Sequence, residues 1–180
     1  YAEMDYTQAK ESYQFAARLY RNNHLPAYYA RCYNGIGNIY IDLNLYEEAK
    51  AEGFDRALQQ LSETPAKDVD SSLIADAYEG LGRYYSSLPT HLSDDKSNVS
   101  TIHFAKALEQ HQKALDIRLR MYGNEHSKIA LSYYFMSFCY QGFAYEATKN
   151  GAANPIVKEL KFLEKALVIQ LKTIGDEHYE

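Results

Sequence analysis

The chain of 180 residues has no tryptophan, only two cysteines and only four prolines. Cys32 and Cys139 lie far apart, each inside an apolar helical pattern. That placement points to two buried thiols rather than a disulfide scaffold, and so to a cytoplasmic setting. No apolar run approaches the roughly 20 residues needed to span a bilayer, so membrane insertion is not expected. There is also no basic start followed by a hydrophobic signal segment. Basic charge is in deficit: 19 Lys and Arg against 24 Asp and Glu leave a net charge of −5. Residues 1–100 carry 9 basic and 15 acidic side chains, and residues 101–180 carry 10 and 9. No basic stripe of the kind a phosphate backbone demands is present, and nucleic acid is not an expected partner. The chain opens at Tyr1 rather than methionine, which suggests a piece of a longer protein whose upstream part could hold a targeting signal.

Arrangements that carry chemistry are also missing. The histidines at 24, 91, 103, 111, 126 and 178 form no HExxH, and neither cysteine has a CxxC partner. A zinc site built from His103 with Glu109 or His111 is the weaker alternative to structural roles, in which His111 replaces an aromatic wedge and His126 and His178 cap a recurring turn. Gly35 and Gly37 sit inside a helical pattern, with no strand before them and no lysine after, which speaks for packing and against a phosphate loop. Acidic pairs such as Glu47-Glu48, Asp68 with Asp70 and Asp94-Asp95 fall at helix starts or in a polar stretch, where they meet the positive helix end or water. Asn98-Val99-Ser100 has the form of a glycosylation acceptor, which an intracellular chain would not use. No enzyme activity, metal or cofactor is expected.

What the chain does have is tyrosine, 18 residues against 7 phenylalanines. Three segments repeat one pattern: Tyr33, Ile36, Gly37, Tyr40; Tyr78, Leu81, Gly82, Tyr85; Tyr133, Met136, Ser137, Tyr140. Steps of three, four and seven put the four side chains on one helical face, so the chain is built from a repeated unit. Prolines and glycines fall between the periodic stretches. The periodicity predicts seven helices and no strand, at about 4–22, 26–43, 46–62, from near 71 to Pro89, 99–122, 127–149 and from Pro155 onward. A second pattern, Ala9-Tyr13-Ala16 and Ala107-His111-Ala114, marks the alternate helices, whose small residues allow close helix pairing.

These residues resemble tetratricopeptide repeats, whose first helix carries an aromatic, leucine, glycine and tyrosine and whose second carries alanine, an aromatic and alanine. The resemblance covers essentially the whole chain. It implies an all-α, right-handed superhelical solenoid of antiparallel helix hairpins in a single array over 1–180, with a partial repeat at 1–22 and repeats at about 26–62, 71–122 and 127–174. Departures are local. Ala49 is followed by Phe54 and Ala57, one residue longer than the pattern, which predicts a bulge or shift in that helix. Glu159 and Leu163 replace alanine and an aromatic, and insertions fall at 89–100 and 149–155. The segments Ala114–His126 and Ala166–His178 stand 52 residues apart and are nearly superimposable. They look like the junction in kinesin-light-chain-type repeats, which implies an adaptor groove for cargo or peptide.

In such an array a stripe beside the tyrosine ladder lines the concave groove. Arg31, Asn34, Asn38 and Ile41 occupy it in the first unit, Asp76, Glu79, Arg83 and Ser86 in the second, and Leu131, Tyr134, Phe138 and Gln141 in the third. Asn34 and Asn38 either offer donor and acceptor to a peptide backbone or merely solvate the surface. Tyr134 and Phe138 either form an anchor pocket or contact a neighbouring helix. The carboxylate clamp of chaperone-tail binders would require basic residues at the positions held here by Asn34, Leu131 and Phe135, and asparagine at those of Asn38 and Gly80. Of the clamp positions only Asn38 agrees, so that ligand is disfavoured. The expected function is a protein- or peptide-binding scaffold; the alternative is a peptide-sensing regulatory region of a larger signalling protein. Finally, Leu160, Leu163, Leu167 and Leu171 form an apolar stripe on the last helix, where a following repeat or a self-association contact is expected.

Overall fold

The computed structural model describes residues 2–88, 99–149 and 156–177. Every regular element among them is helical, and no strand occurs. The helices are α1 (Ala2–Asn22), α2 (Pro26–Asp42), α3 (Tyr46–Glu48, Ala49–Phe54 and Asp55–Glu63), α4 (Ser71–Ser87), α5 (Val99–Tyr122), α6 (Ser127–Lys149) and α7 (Ile156–Glu177). The predicted Asn98 acceptor, Asp94-Asp95, His91, His178 and most of both predicted insertions lie outside the described residues. The chain forms two compact units, Tyr1–Tyr84 and Tyr85–Glu180.

In the first unit, α1, α2 and α3 follow one another through two turns of the same kind. His24 and Asn44 take positive φ values of 55° and 59°. The Leu25 and Leu45 amides then donate back to the Tyr20 and Tyr40 carbonyls, at 2.9 and 2.8 Å. Each helix thus ends in a Schellman cap that uses up carbonyls the helix itself leaves open. Pro26 occupies the first turn of α2, where its missing N–H costs nothing. Asp70 starts α4: its carboxylate accepts from the Ser72 amide at 2.9 Å, as an N-cap does.

The extra residue between Ala49 and Phe54 is absorbed as the predicted bulge, since Ala49–Phe54 is π-helical within α3. The widened turn sets Gly53 against the backbone of Gly37 and drives the Phe54 ring between Gly37 and Gly80. Phe54 is fully buried. Below it, Ala30, Ala57, Leu61, Leu73 and Ala77 close the core, with Tyr33 packed at its edge.

In the second unit α6 packs on both α5 and α7. Leu115 of α5, Ile129, Ala130 and Met136 of α6, and Ala166 and Ile169 of α7 form one core, bordered by Leu108, Leu119, Tyr133 and Phe162. The α5 helix ends at Gly123, whose φ is 72°. The next helix is capped by His126: its Nδ1 accepts from the Lys128 amide at 3.1 Å, and its ring stacks on Tyr122 at 4.2 Å. The turn role expected for this histidine is therefore met. His111 is buried and lies flat on Phe135 at 5.3 Å, as an aromatic wedge would.

The ladder tyrosines are half-buried. Several carry a cation over the ring from a neighbouring helix: Arg56 over Tyr33, Lys10 over Tyr40, Lys106 over Tyr85, Lys165 over Tyr133 and Lys158 over Tyr140, all 5.0 to 5.7 Å from the centroid. Such contacts cover the outer ring face while leaving the hydroxyl near water.

Candidate functional site

The stripe on α2 and α4 is largely committed to joining the two helices. Asn34 is 6% exposed, and its Nδ2 donates to the Leu73 carbonyl at 2.9 Å. Ile41 is buried as well. These two expected groove residues therefore do not face open solvent, because α4 runs over the edge of α2 on which they sit. Asn38 is exposed but accepts at Oδ1 from Arg83 Nη1, at 3.0 Å, while Arg83 Nη2 pairs with Asp42 at 3.3 Å. Arg31 is exposed and stands 3.9 Å from Asp70. Glu79, like Asp76 and Ser86, is half-buried. Nearby, the Tyr84 hydroxyl donates to Glu47 at 2.9 Å. The outer part of this face is a polar surface on which Arg31 pairs with Asp70 and Arg83 with Asp42, and it can meet the backbone or side chains of another chain.

The stripe on α6 differs in kind. Leu131, Tyr134, Phe138, Gln141 and Tyr145 recur at steps of three and four and are all exposed, Tyr145 to 70%. The opposite face of the same helix carries Ile129, Ser132, Met136 and Cys139, all buried. Tyr134 leans edge-on against Phe135 at 5.6 Å, and Phe135 is held by His111 beneath it. Tyr134 thus stands on a packed base, so ordering it on binding costs little further entropy. Exposed apolar side chains lined up on one face are a feature of interaction surfaces.

Two features escaped sequence reasoning. A cleft of about 700 Å³ opens where the α1–α2 turn meets the end of α3, lined by Arg21, His24, Tyr28, Tyr29, Gln60 and Glu63 among others. Tyr20 stacks on Tyr28 at 5.1 Å along it. Burial, reinforced by a 3.3 Å hydrogen bond to the Tyr33 hydroxyl, raises the Tyr29 phenol above its ordinary pKa. Its walls come from the ends of three helices, and no local pattern announces such a meeting. The second feature is Arg118, 1% exposed in the last turns of α5, whose Nη1 donates to Ser132 Oγ at 2.9 Å. Its step of four from Ala114 continues the Ala107-His111-Ala114 face, but a charged residue does not by itself announce that α6 covers it.

The two cysteines are held in their neutral form. Burial pushes the Cys139 thiol up to about 12 and raises that of Cys32 too, so both are thiols rather than thiolates at neutral pH. Among the described residues no three His, Cys, Asp or Glu side chains gather closely enough to hold a metal ion. No described helix is long and apolar enough to cross a membrane. Comparison with protein-family models, curated proteins and solved structures finds no match in any of the three.

Proposed function

We propose that the chain is an array of tetratricopeptide-type hairpins, wound as the right-handed solenoid that resemblance implies, and that it binds a protein segment or peptide without making or breaking bonds. The observation that carries the reading is the exposed row Leu131, Tyr134, Phe138 and Tyr145 on α6, interrupted by the polar Gln141. Aromatic side chains on a rigid base supply anchor contacts, and a glutamine amide beside them supplies a donor and an acceptor for a backbone. The His126 cap and the core that α6 shares with α5 and α7 hold that helix in place, which keeps such a surface preformed. On the first unit, Asn38, Arg31, Glu79 and Arg83 are proposed as a polar contact surface in its own right.

The test is selection of ligands from a displayed peptide library on the intact chain, followed by binding measurements on Tyr134→Ala/Phe138→Ala. Loss of two anchor residues is expected to weaken a selected ligand by about tenfold or more, with the melting temperature held. Selected ligands that bind the double variant as well as the parent, or a library that gives no ligand at all, would sink the assignment.

A further inference from the structure

The chain contains one helix design twice, once covered and once bare. Leu108, Leu115 and Leu119 of α5 recur 52 residues later as Leu160, Leu167 and Leu171 of α7. In α5 these leucines face α6: Leu115 is 3% exposed and packs with Ile129, Ala130 and Met136, and Leu108 and Leu119 border the same cluster. In α7 the matching leucines stand open, Leu167 at 58% and Leu171 at 62%. Val157 and Val168 widen the exposed apolar surface. Exposed apolar side chains aligned along one helix in this way are uncommon on a self-sufficient surface.

We infer that the bare face of α7 docks an α-helix of the α6 kind. Its chemistry follows from the covered copy. The occupant presents a β-branched residue and, two turns on, a methionine, as Ile129 and Met136 do in the core shared with Leu115. The methionine adapts to the leucine row. The occupant runs antiparallel to α7, since α6 follows α5 through a short turn closed by Gly123 and His126. Exposed Glu164 stands between Leu160 and Leu167, so the occupant carries a lysine or arginine opposite it. The site is separate from the α6 row of the proposed function and does not depend on it.

The probe is a synthetic peptide of the α6 sequence, Ser127–Lys149, with Leu131, Tyr134, Phe138 and Tyr145 exchanged for lysine and glutamine to keep it soluble and Cys139 for serine. Fluorescence anisotropy of the labelled peptide against the full chain is expected to saturate. Leu167→Asp/Leu171→Asp is expected to weaken binding by about tenfold or more with the helical melt unchanged, since each substitution puts a charge where a leucine would be buried. Leu160→Asp, at the other end of the stripe, gives a second reading should the double variant fold poorly. A control peptide carrying Asp at 129 and 136 is expected not to bind. The inference is overturned if both peptides bind alike, if the α7 variants bind as well as the parent, or if sedimentation shows α7-dependent dimers that the peptide cannot dissociate, which would make a second copy the occupant.

Discussion

The ring of Phe54 lies where a side chain at Gly37 would begin: a Cβ there would stand 2.6 Å from its Cε1, and one at Gly80 would meet the same ring edge more closely still. A six-residue π-helical segment in α3 delivers the ring to this slot. Three helices are thereby held together by one aromatic and two glycines. Gly80→Ala is expected to destabilise the chain by about 1–3 kcal/mol through overpacking, and Phe54→Ala by about 3–5 kcal/mol through the void it leaves. Urea unfolding followed by circular dichroism measures both, and a neutral Gly80→Ala would mean that the ring can move aside.

Left-handed turn positions predict opposite signs for two exchanges. His24 has φ 55° and Gly123 has φ 72° with open space around it. His24→Gly relieves strain and is expected to raise stability by about 0.5–1 kcal/mol, whereas Gly123→Ala introduces it and costs about 1 kcal/mol. Thermal melts of the two variants should move apart from the parent in opposite directions.

Asn34 ties α2 to the first turn of α4 through the Leu73 carbonyl. Asn34→Ala is expected to cost about 1 kcal/mol of stability, while Asn38→Ala at the exposed surface changes stability by less than about 0.5 kcal/mol. Equal effects of the two exchanges on the unfolding midpoint would contradict this division of roles.

Arg118 and Ser132 form a buried donor–acceptor pair between α5 and α6. Ser132→Ala removes an acceptor from a guanidinium that has no access to water, and about 1–3 kcal/mol of stability should go with it. Arg118→Met keeps the volume and removes the charge, so it is expected to be better tolerated than Arg118→Ala. The order of the midpoints, methionine above alanine, is the result to look for.

Burial holds the Cys139 thiol up near 12, above the ordinary value of 9.0. A raised folded-state pKa contributes stability that is complete below the unfolded value and lost as pH rises through the folded one. Stability is therefore expected to fall between about pH 9 and 12 by up to about 1.4 kcal/mol per pH unit from this group. Cys139→Ala flattens that part of the profile. At pH 8 the native thiol reacts with an alkylating reagent only on unfolding, which mass spectrometry of the labelled chain follows.

Much of the local structure could be read from spacing. The single extra residue between Ala49 and Phe54 announced the π-helical segment, because a regular helix cannot hold both on one face. The repeat position of His111 announced a wedge, and the recurrence of His126 before a helix announced a cap. Asn34 and Ile41 were harder. Their stripe adjoins the ladder, and whether it meets water depends on how far the next helix reaches across, a quantity no local spacing contains. The cleft between the α1–α2 turn and the end of α3 was hidden for the same reason.

The leucine rows show the division most plainly. Sequence by itself determined that α5 and α7 are amphipathic helices of one design, since side-chain period alone decides which residues share a face. It also determined the turns, through proline, glycine and capping side chains placed at helix ends. Tertiary structure alone decided that Leu115 is core and Leu167 is surface, that Asn34 is a strut and that Arg118 is buried. Burial depends on which other helix arrives, and similar local sequences acquire different roles when only one of them is covered.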